Sequence, residues 1–168
     1  KQIEEFLHER DRKYQSLEKN IDTNCSLDLK TKQGIDFLKE KCINENNNLF
    51  PEIKIYSKEL QIAGTIDLII YNKKHNKIYL IDWKTNVEIK KNGYNTGIKF
   101  PTNNTIDCSY NKYQLQLSLY KYILEKFYNA SVAGLYIAHL TDEKYSIMEC
   151  IFQENTITEM VKIKKLQI

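Results

Sequence analysis

The chain has 168 residues, of which 42% are hydrophobic and 28% charged, with a formal net charge of +3. That is the composition of a globular domain large enough to bury a core, and it excludes disordered and collagen-like chains. No apolar run approaches the ~18 residues of a membrane span, no secretory leader is visible, and the weak positive balance is compatible with nucleic acid without selecting it. Cys25, Cys42, Cys108 and Cys150 are scattered, with no C-x-x-C pair. This spacing argues against a zinc ribbon and implies free thiols in a reducing, intracellular compartment. The expectation is a single domain over residues 1–168 with no membrane contact. Because the first residue is Lys1 rather than Met, a piece of a longer or trimmed chain is also expected.

Residues 2–19 carry Ile3, Phe6, Leu7, Arg10 and Tyr14 near helical spacing and read as a helix, with His8 one residue past Leu7. Residues 20–26 are polar and turn-like. A second amphipathic helix is predicted over 28–44, with Leu29, Ile35, Leu38 and Ile43 as core contacts. The run Asn44-Glu45-Asn46-Asn47-Asn48 ends it. Three strands follow, over 52–57, over 60–71 and from Ile78 onward, and short polar turns join them into an antiparallel meander. Gly64, inside the second strand, signals a bulge or a close backbone approach.

Residues 85–111 are irregular and Asn-rich, with Lys90, Lys91 and Lys99 set against Glu88 and Asp107. A connection of that length in a compact domain is either functional or disordered. The strongest helical pattern covers 113–128, where Gln116, Leu119, Tyr120, Ile123, Leu124 and Phe127 form one stripe. Gln116 is the odd member, because a buried amide needs partners, so something polar is expected beneath this helix. Strands over 132–140 and 145–152 and a helix over 156–166 complete the pattern, and no internal repeat is present.

The chemistry concentrates on Ile78-Tyr79-Leu80-Ile81-Asp82-Trp83-Lys84-Thr85. Side chains alternate along a strand, so Ile78, Leu80, Asp82 and Lys84 share one face while Tyr79, Ile81 and Trp83 take the other. Acid-x-Lys occurs six times in the chain, ending at Lys13, Lys30, Lys54, Lys84, Lys90 and Lys144. Only the triplet at Lys84 closes an apolar strand and follows a hairpin partner with its own interrupting acid, Asp67. Neither Asp67 nor Asp82 would stay ionised cheaply in such a setting without a cation. Two carboxylates beside a lysine make a hard-oxygen site suited to Mg²⁺ or Mn²⁺, ions that generate hydroxide and stabilise phosphoryl transition states. The plainer alternative is a buried acid–lysine cross-strand pair with no metal.

Taken in order, Pro51-Glu52, Gly64-Thr65-Ile66-Asp67, Asp82-Trp83-Lys84 and Gln116-Leu117-Ser118-Leu119-Tyr120 resemble the PD-(D/E)XK nuclease superfamily. The resemblance is to the RecB-like and phage-exonuclease-like branch, whose signature is G-x-x-D, D-x-K and Q-x-x-x-Y, and it covers about residues 50–128. It implies a restriction-endonuclease-like α/β core: a central mixed sheet, an antiparallel meander plus later strands, flanked by helices. It also implies hydrolysis of DNA phosphodiesters with one or two Mg²⁺ or Mn²⁺ ions. By position, Asp67 resembles the bridging ligand and Asp82 a second ligand, with the Trp83 carbonyl beside them and Glu52 at the edge of the metal site. Lys84 resembles the catalytic lysine, and Gln116 and Tyr120 the pair that braces the site and the DNA end. Relatives often bring a His from the first helix to a second metal, and His8 is the candidate here. An iron–sulfur cluster found in some relatives is not expected, since the cysteine spacing departs from that pattern.

The resulting expectation is a nuclease domain acting on single-stranded DNA or DNA ends, with an exonuclease mode resting on family analogy. Lys90, Lys91, Tyr94, Lys99 and Lys112 are the expected nucleic-acid contacts, with Phe100 a further stacking candidate. The bland reading of that loop is a surface segment with solvated lysines. A helicase or another replication or recombination protein is the partner such a domain would serve, and a virus- or phage-encoded origin fits the same picture. Two rival readings are a binding module of this fold without turnover and an RNA-directed metal nuclease.

Overall fold

A computed structural model describes residues 28–167. The expected helix over 2–19, with His8, and Cys25 in the turn after it lie outside the described residues. Helix α1 spans Leu29–Phe37 and opens where the Asp28 carboxylate accepts from the Thr31 amide at 3.0 Å, a side-chain cap on a free helix N–H. It continues as a π-helical turn over Leu38–Cys42. The widened turn, in which the Ile43 amide donates to the Leu38 carbonyl at 2.8 Å, shifts the helical phase. Phe37 and Cys42, five residues apart, are therefore the buried positions, while Leu29 and Ile43 are 56% and 61% exposed. This corrects the expected core contacts Leu29 and Ile43: the π-turn takes Ile43 off the buried face, and Leu29 is the first residue of the helix, short of the core.

Strands β1 (Asn47–Ser57), β2 (Ile62–Asn72) and β3 (Lys77–Lys84) form the antiparallel meander. β1 begins five residues earlier than expected, because the Asn-rich run that ends the helix also starts the strand. Helix α2 (Ser109–Phe127) then crosses over to β4 (Val132–Leu140), which pairs parallel with β3, and β5 (Tyr145–Glu149) returns antiparallel. Helix α3 (Glu154–Lys165) follows. The sheet order is β1-β2-β3-β4-β5, a five-stranded mixed sheet. The fold is α/β with helices flanking the sheet, as the restriction-endonuclease-like expectation required.

Each face of the sheet has its own cover. On one face, Phe37 packs with Leu68, Ile70, Ile81 and Ala138, and its ring meets Trp83 edge-on at 5.4 Å between centroids. On the other, Ile53, Ile69, Leu80 and Ile137 pack against Leu117, Ile123 and Leu124 of α2. Burying each such side chain contributes about 1.5–3 kcal/mol relative to exposure. Since β3 is covered on both faces, it reads as a near-continuous apolar run, and a charged residue within it is conspicuous.

Helix α2 corrects the expected stripe. Its buried polar side chains are Gln114 and Ser118, not Gln116, which is only half-buried. The helix is sandwiched: Leu117 and Leu124 face the sheet, whereas Leu115, Leu119, Tyr122 and Phe127 face Leu60 and α3. Apolar residues thus occupy two faces, and a single-stripe reading selects the wrong one. The polar partner expected beneath the helix is backbone. Gln114 Oε1 accepts from the Ile151 amide at 3.0 Å, and Ser118 Oγ accepts from the Gln153 amide at 3.1 Å.

Gln114 and Ser118 therefore tether the segment between β5 and α3. Gln114→Leu should lower the free energy of unfolding by about 1 kcal/mol or more, because the Ile151 amide loses its acceptor beside a covered surface. Urea denaturation of the variant checks this, and an unchanged midpoint would show that water replaces the amide at no cost.

Candidate active site where the sheet divides

The pairing of β2 with β3 runs from Asn72–Lys77 to Leu68–Ile81 and stops there. The next position in that register is Asp67 against Asp82. Beyond it the strands part company: β2 continues on β1, through Ile66–Ile53, and β3 continues on β4, through Asp82–Ile137 and Lys84–His139. The two aspartates stand in the crotch of this fork. The Trp83 amide, past the end of the ladder, donates instead to Asp67 Oδ2 at 2.8 Å. A carboxylate has taken the place of a strand carbonyl.

Asp82 is 3% exposed. Its Oδ2 meets the Lys84 ammonium as an ion pair but has no donor in hydrogen-bond geometry. Burial pushes the Asp82 carboxyl above its ordinary value, Lys84 pulls it back, and the nearby Asp67 charge pushes it up again. The expected sharing of a face holds, since Leu80 packs with the α2-side core while Ile81 and Trp83 pack with the α1 side. Lys84 lies under α2, its amine 4.5 Å from the centroid of the Tyr113 ring.

Glu52 lies on β1, exposed, and the register on either side of it, Pro51–Leu68 and Ile53–Ile66, sets it across from Asp67. Its φ of 52° is in the left-handed region, which costs a non-glycine residue about 1–3 kcal/mol and tends to persist at functional positions. Among the described residues no group of three or more His, Cys, Asp or Glu side chains comes together closely enough to hold a metal, so Glu52 does not join the pair as a third carboxylate. Asp67, Asp82 and the Trp83 carbonyl remain as the donor set. A small hard cation that keeps most of its water needs only one or two carboxylates, and here it would share Asp82 with Lys84.

Gln116 Nε2 donates to the Tyr120 hydroxyl at 3.1 Å. The Tyr120 ring lies over Gly64, so close that a Cβ there would fall 2.5 Å from Cε1 and 2.9 Å from the hydroxyl oxygen. The close approach anticipated at Gly64 is thus made by a side chain. The first and third parts of the G-x-x-D … Q-x-x-x-Y pattern form one packing unit.

The basic loop is only partly gathered at this end. Lys90 docks on the start of α2, its amide donating to Ser109 Oγ at 2.8 Å, and the Lys91 amine sits 5.3 Å from the Tyr110 ring centroid. Lys112 is exposed and pairs with Asp107 at 2.7 Å. Tyr94 is fully exposed, whereas Lys99 and Phe100 line a shallow groove with Met160 and Lys164 of α3. A separate groove of about 450 Å³ on the α1 side, between Phe37, Cys42, Ile70 and Tyr136, has Lys41 as its single charged lining residue and no acid. Its lining is not that of a phosphodiester site. Residues missed by inspection of the sequence are Tyr113, Asn86 and His139, which meet around Lys84; the parallel β3–β4 pairing that brings His139 there leaves no local trace.

No family model matches the chain, and no curated protein does. Among solved structures it is similar to SSO0001, with 17% identity, 83% of this chain and 57% of that chain covered, and a TM-score of 0.39. It is also similar to a candidate exonuclease from Eubacterium rectale, with 12% identity, 93% of this chain and 57% of that chain covered, and a TM-score of 0.42. The chain spans a little over half the length of each, and the likeness is too distant to carry residue roles.

Two outcomes follow from the geometry. In metal-free protein, the raised Asp82 carboxyl means that the folded chain holds that proton more tightly than the unfolded chain does. Stability from this group is greatest below its ordinary value of 3.8 and is lost as pH rises through the higher folded value. Asp82→Asn removes the effect, so its melting temperature relative to the parent should rise as pH is raised above the ordinary value of 3.8 in chelator. A pH-independent difference would show that the Lys84 pair cancels the effect of burial. Gly64→Ala should displace the Tyr120 ring and break its bond to Gln116, which a crystal structure of the variant would show directly; an unmoved ring would contradict it.

Proposed function

We propose that this chain is a metal-dependent nuclease domain that hydrolyses DNA phosphodiester bonds, acting on single strands or DNA ends. The observation that carries the reading is the fork itself: two aspartates of neighbouring strands stand at opposed positions where the ladder ends, one of them buried and ion-paired with a lysine. In this reading Asp67, Asp82 and the Trp83 carbonyl hold one or two Mg²⁺ or Mn²⁺ ions, with Glu52 at the rim. Such an ion supplies an activated water and offsets charge on the phosphate. Lys84 would stabilise negative charge on the phosphate as the water oxygen bonds to phosphorus and the bridging P–O bond breaks, the water giving up a proton to solvent and the leaving oxygen taking one from it. Gln116 and Tyr120 brace the wall over Gly64. Lys90, Lys91, Tyr94, Lys99 and Lys112 contact the strand, and a helicase or another replication or recombination protein would deliver it.

A second reading, a nucleic-acid-binding module without turnover, draws on a different observation. Among the described residues only two carboxylates converge, and Lys84 is already paired with one of them. End-labelled single- and double-stranded DNA, and RNA of the same sequence, incubated with Mg²⁺ or Mn²⁺ with and without chelator, separates the readings. Release of labelled nucleotides from DNA that chelator stops supports the nuclease; tight binding with no product supports the module; preference for RNA replaces the substrate.

If the nuclease reading holds, Asp82→Asn should abolish cleavage while the protein stays folded. Lys84→Ala should slow hydrolysis by on the order of 10²-fold with Mn²⁺ affinity nearly unchanged, the scale of losing one charge-stabilising group. Rates beside calorimetry check both, and a joint collapse of affinity and rate in Lys84→Ala would give that lysine a structural role instead.

A further inference from the structure

The residues that leave β3 are gripped from three directions. Lys84 lies against the Tyr113 ring of α2. Lys30 Nζ of α1 donates to the Thr85 carbonyl at 3.2 Å. The Tyr113 hydroxyl donates to Asn86 Oδ1 at 3.1 Å, and the Asn86 carbonyl lies 2.7 Å from His139 Nε2. A carbonyl can only accept, so that ring nitrogen carries the proton. His139 is also the register partner of Lys84 on β4.

We propose that Tyr113 and His139 are positioning residues which, acting together through Asn86, hold the Lys84 amine at Asp82. The inference rests on the nuclease reading of Lys84. A lysine stem has four rotatable bonds, and its charge is useful at one atom only if that freedom is removed. The backbone beneath it also needs support, because pairing with β2 has already ended and the chain beyond Asn86 is irregular. The Tyr113 ring removes the first freedom by sitting on the amine. The Tyr113 hydroxyl and His139 remove the second by fixing both polar ends of Asn86. The two devices share one tyrosine, so the orientation of the amine and the anchoring of the strand end are coupled.

The test uses Tyr113→Leu, Tyr113→Phe and His139→Ala, each with Lys84 present and in the Lys84→Ala background. With Lys84 present, Tyr113→Leu should lower kcat about tenfold with KM little changed, the scale of one lost cation–π contact on a partly desolvated amine, and His139→Ala should lower it several-fold by loosening Asn86. With Lys84→Ala they should lower it no further. Equal losses in both backgrounds, or no loss in either, would overturn the proposal. A second readout needs no turnover: acetic anhydride acylation of Lys84 in metal-free protein, read by mass spectrometry relative to the exposed Lys126. Lys84 should react several-fold faster in Tyr113→Leu and His139→Ala, and by a smaller factor in Tyr113→Phe, which keeps the ring on the amine but loses the hydroxyl bond to Asn86. Unchanged Lys84 reactivity, or a rise shared equally by Lys126, overturns the positioning role. Faster Lys84 acylation in a chain that cleaves nothing would keep the positioning role and remove the nuclease reading instead.

Discussion

A carboxylate inside a sheet covered on both faces is expensive to ionise, and this fold buries Asp82 there with Asp67 beside it. The sheet resolves the problem by dividing. Where the β2–β3 ladder would have set Asp67 against Asp82, it stops, and the backbone donor past its end goes to the Asp67 side chain. That hydrogen bond gives one aspartate a backbone partner at the point where the strands diverge. Asp82 has no such donor. It depends on Lys84 two residues along the same strand, so removing that lysine would leave an uncompensated buried acid.

Everything nearby serves that end of β3. Helix α2 is both the crossover that permits the parallel β3–β4 pairing and the wall above Lys84, because Tyr113, Gln116 and Tyr120 lie on the side that overlooks the fork. Its opposite side is apolar for a different reason, since it carries α3 and Leu60. Two packing duties on one helix leave few positions free to change. The polar pair Gln114 and Ser118 then orders the segment that leads into α3.

Much of this was legible in the sequence, and the legible part has a common cause. Asp67, Asp82 and Lys84 stand out because β3 and the adjoining part of β2 are otherwise apolar, and period-two alternation places Asp82 and Lys84 on one side correctly. Gly64 signalled a close approach for the sound reason that nothing larger fits, although the neighbour is the ring of Tyr120. What failed was phase. A π-turn moved the buried positions of α1 by one residue, and a second packing surface on α2 made Gln116 look buried when Gln114 is. His139 and Asn86 were invisible because their meeting depends on a pairing between strands separated by a long irregular connection and a helix. The left-handed backbone at Glu52 is equally silent, since glutamate gives no warning of it.

The kink at Glu52 has a bearing on how the chain behaves in company. Among the described residues β1 is an edge strand, and an unguarded edge offers amides and carbonyls on which a second chain can build a continuous sheet. Here Pro51 contributes no amide, Glu52 turns the backbone aside with its positive φ, and the Tyr128 hydroxyl occupies both the amide and the carbonyl of Tyr56 at 3.0 Å. At the far side, β5 is only five residues long. The strain that sets a glutamate beside the fork therefore also roughens the margin of the sheet, and the margin is where filament growth by strand addition would have to begin.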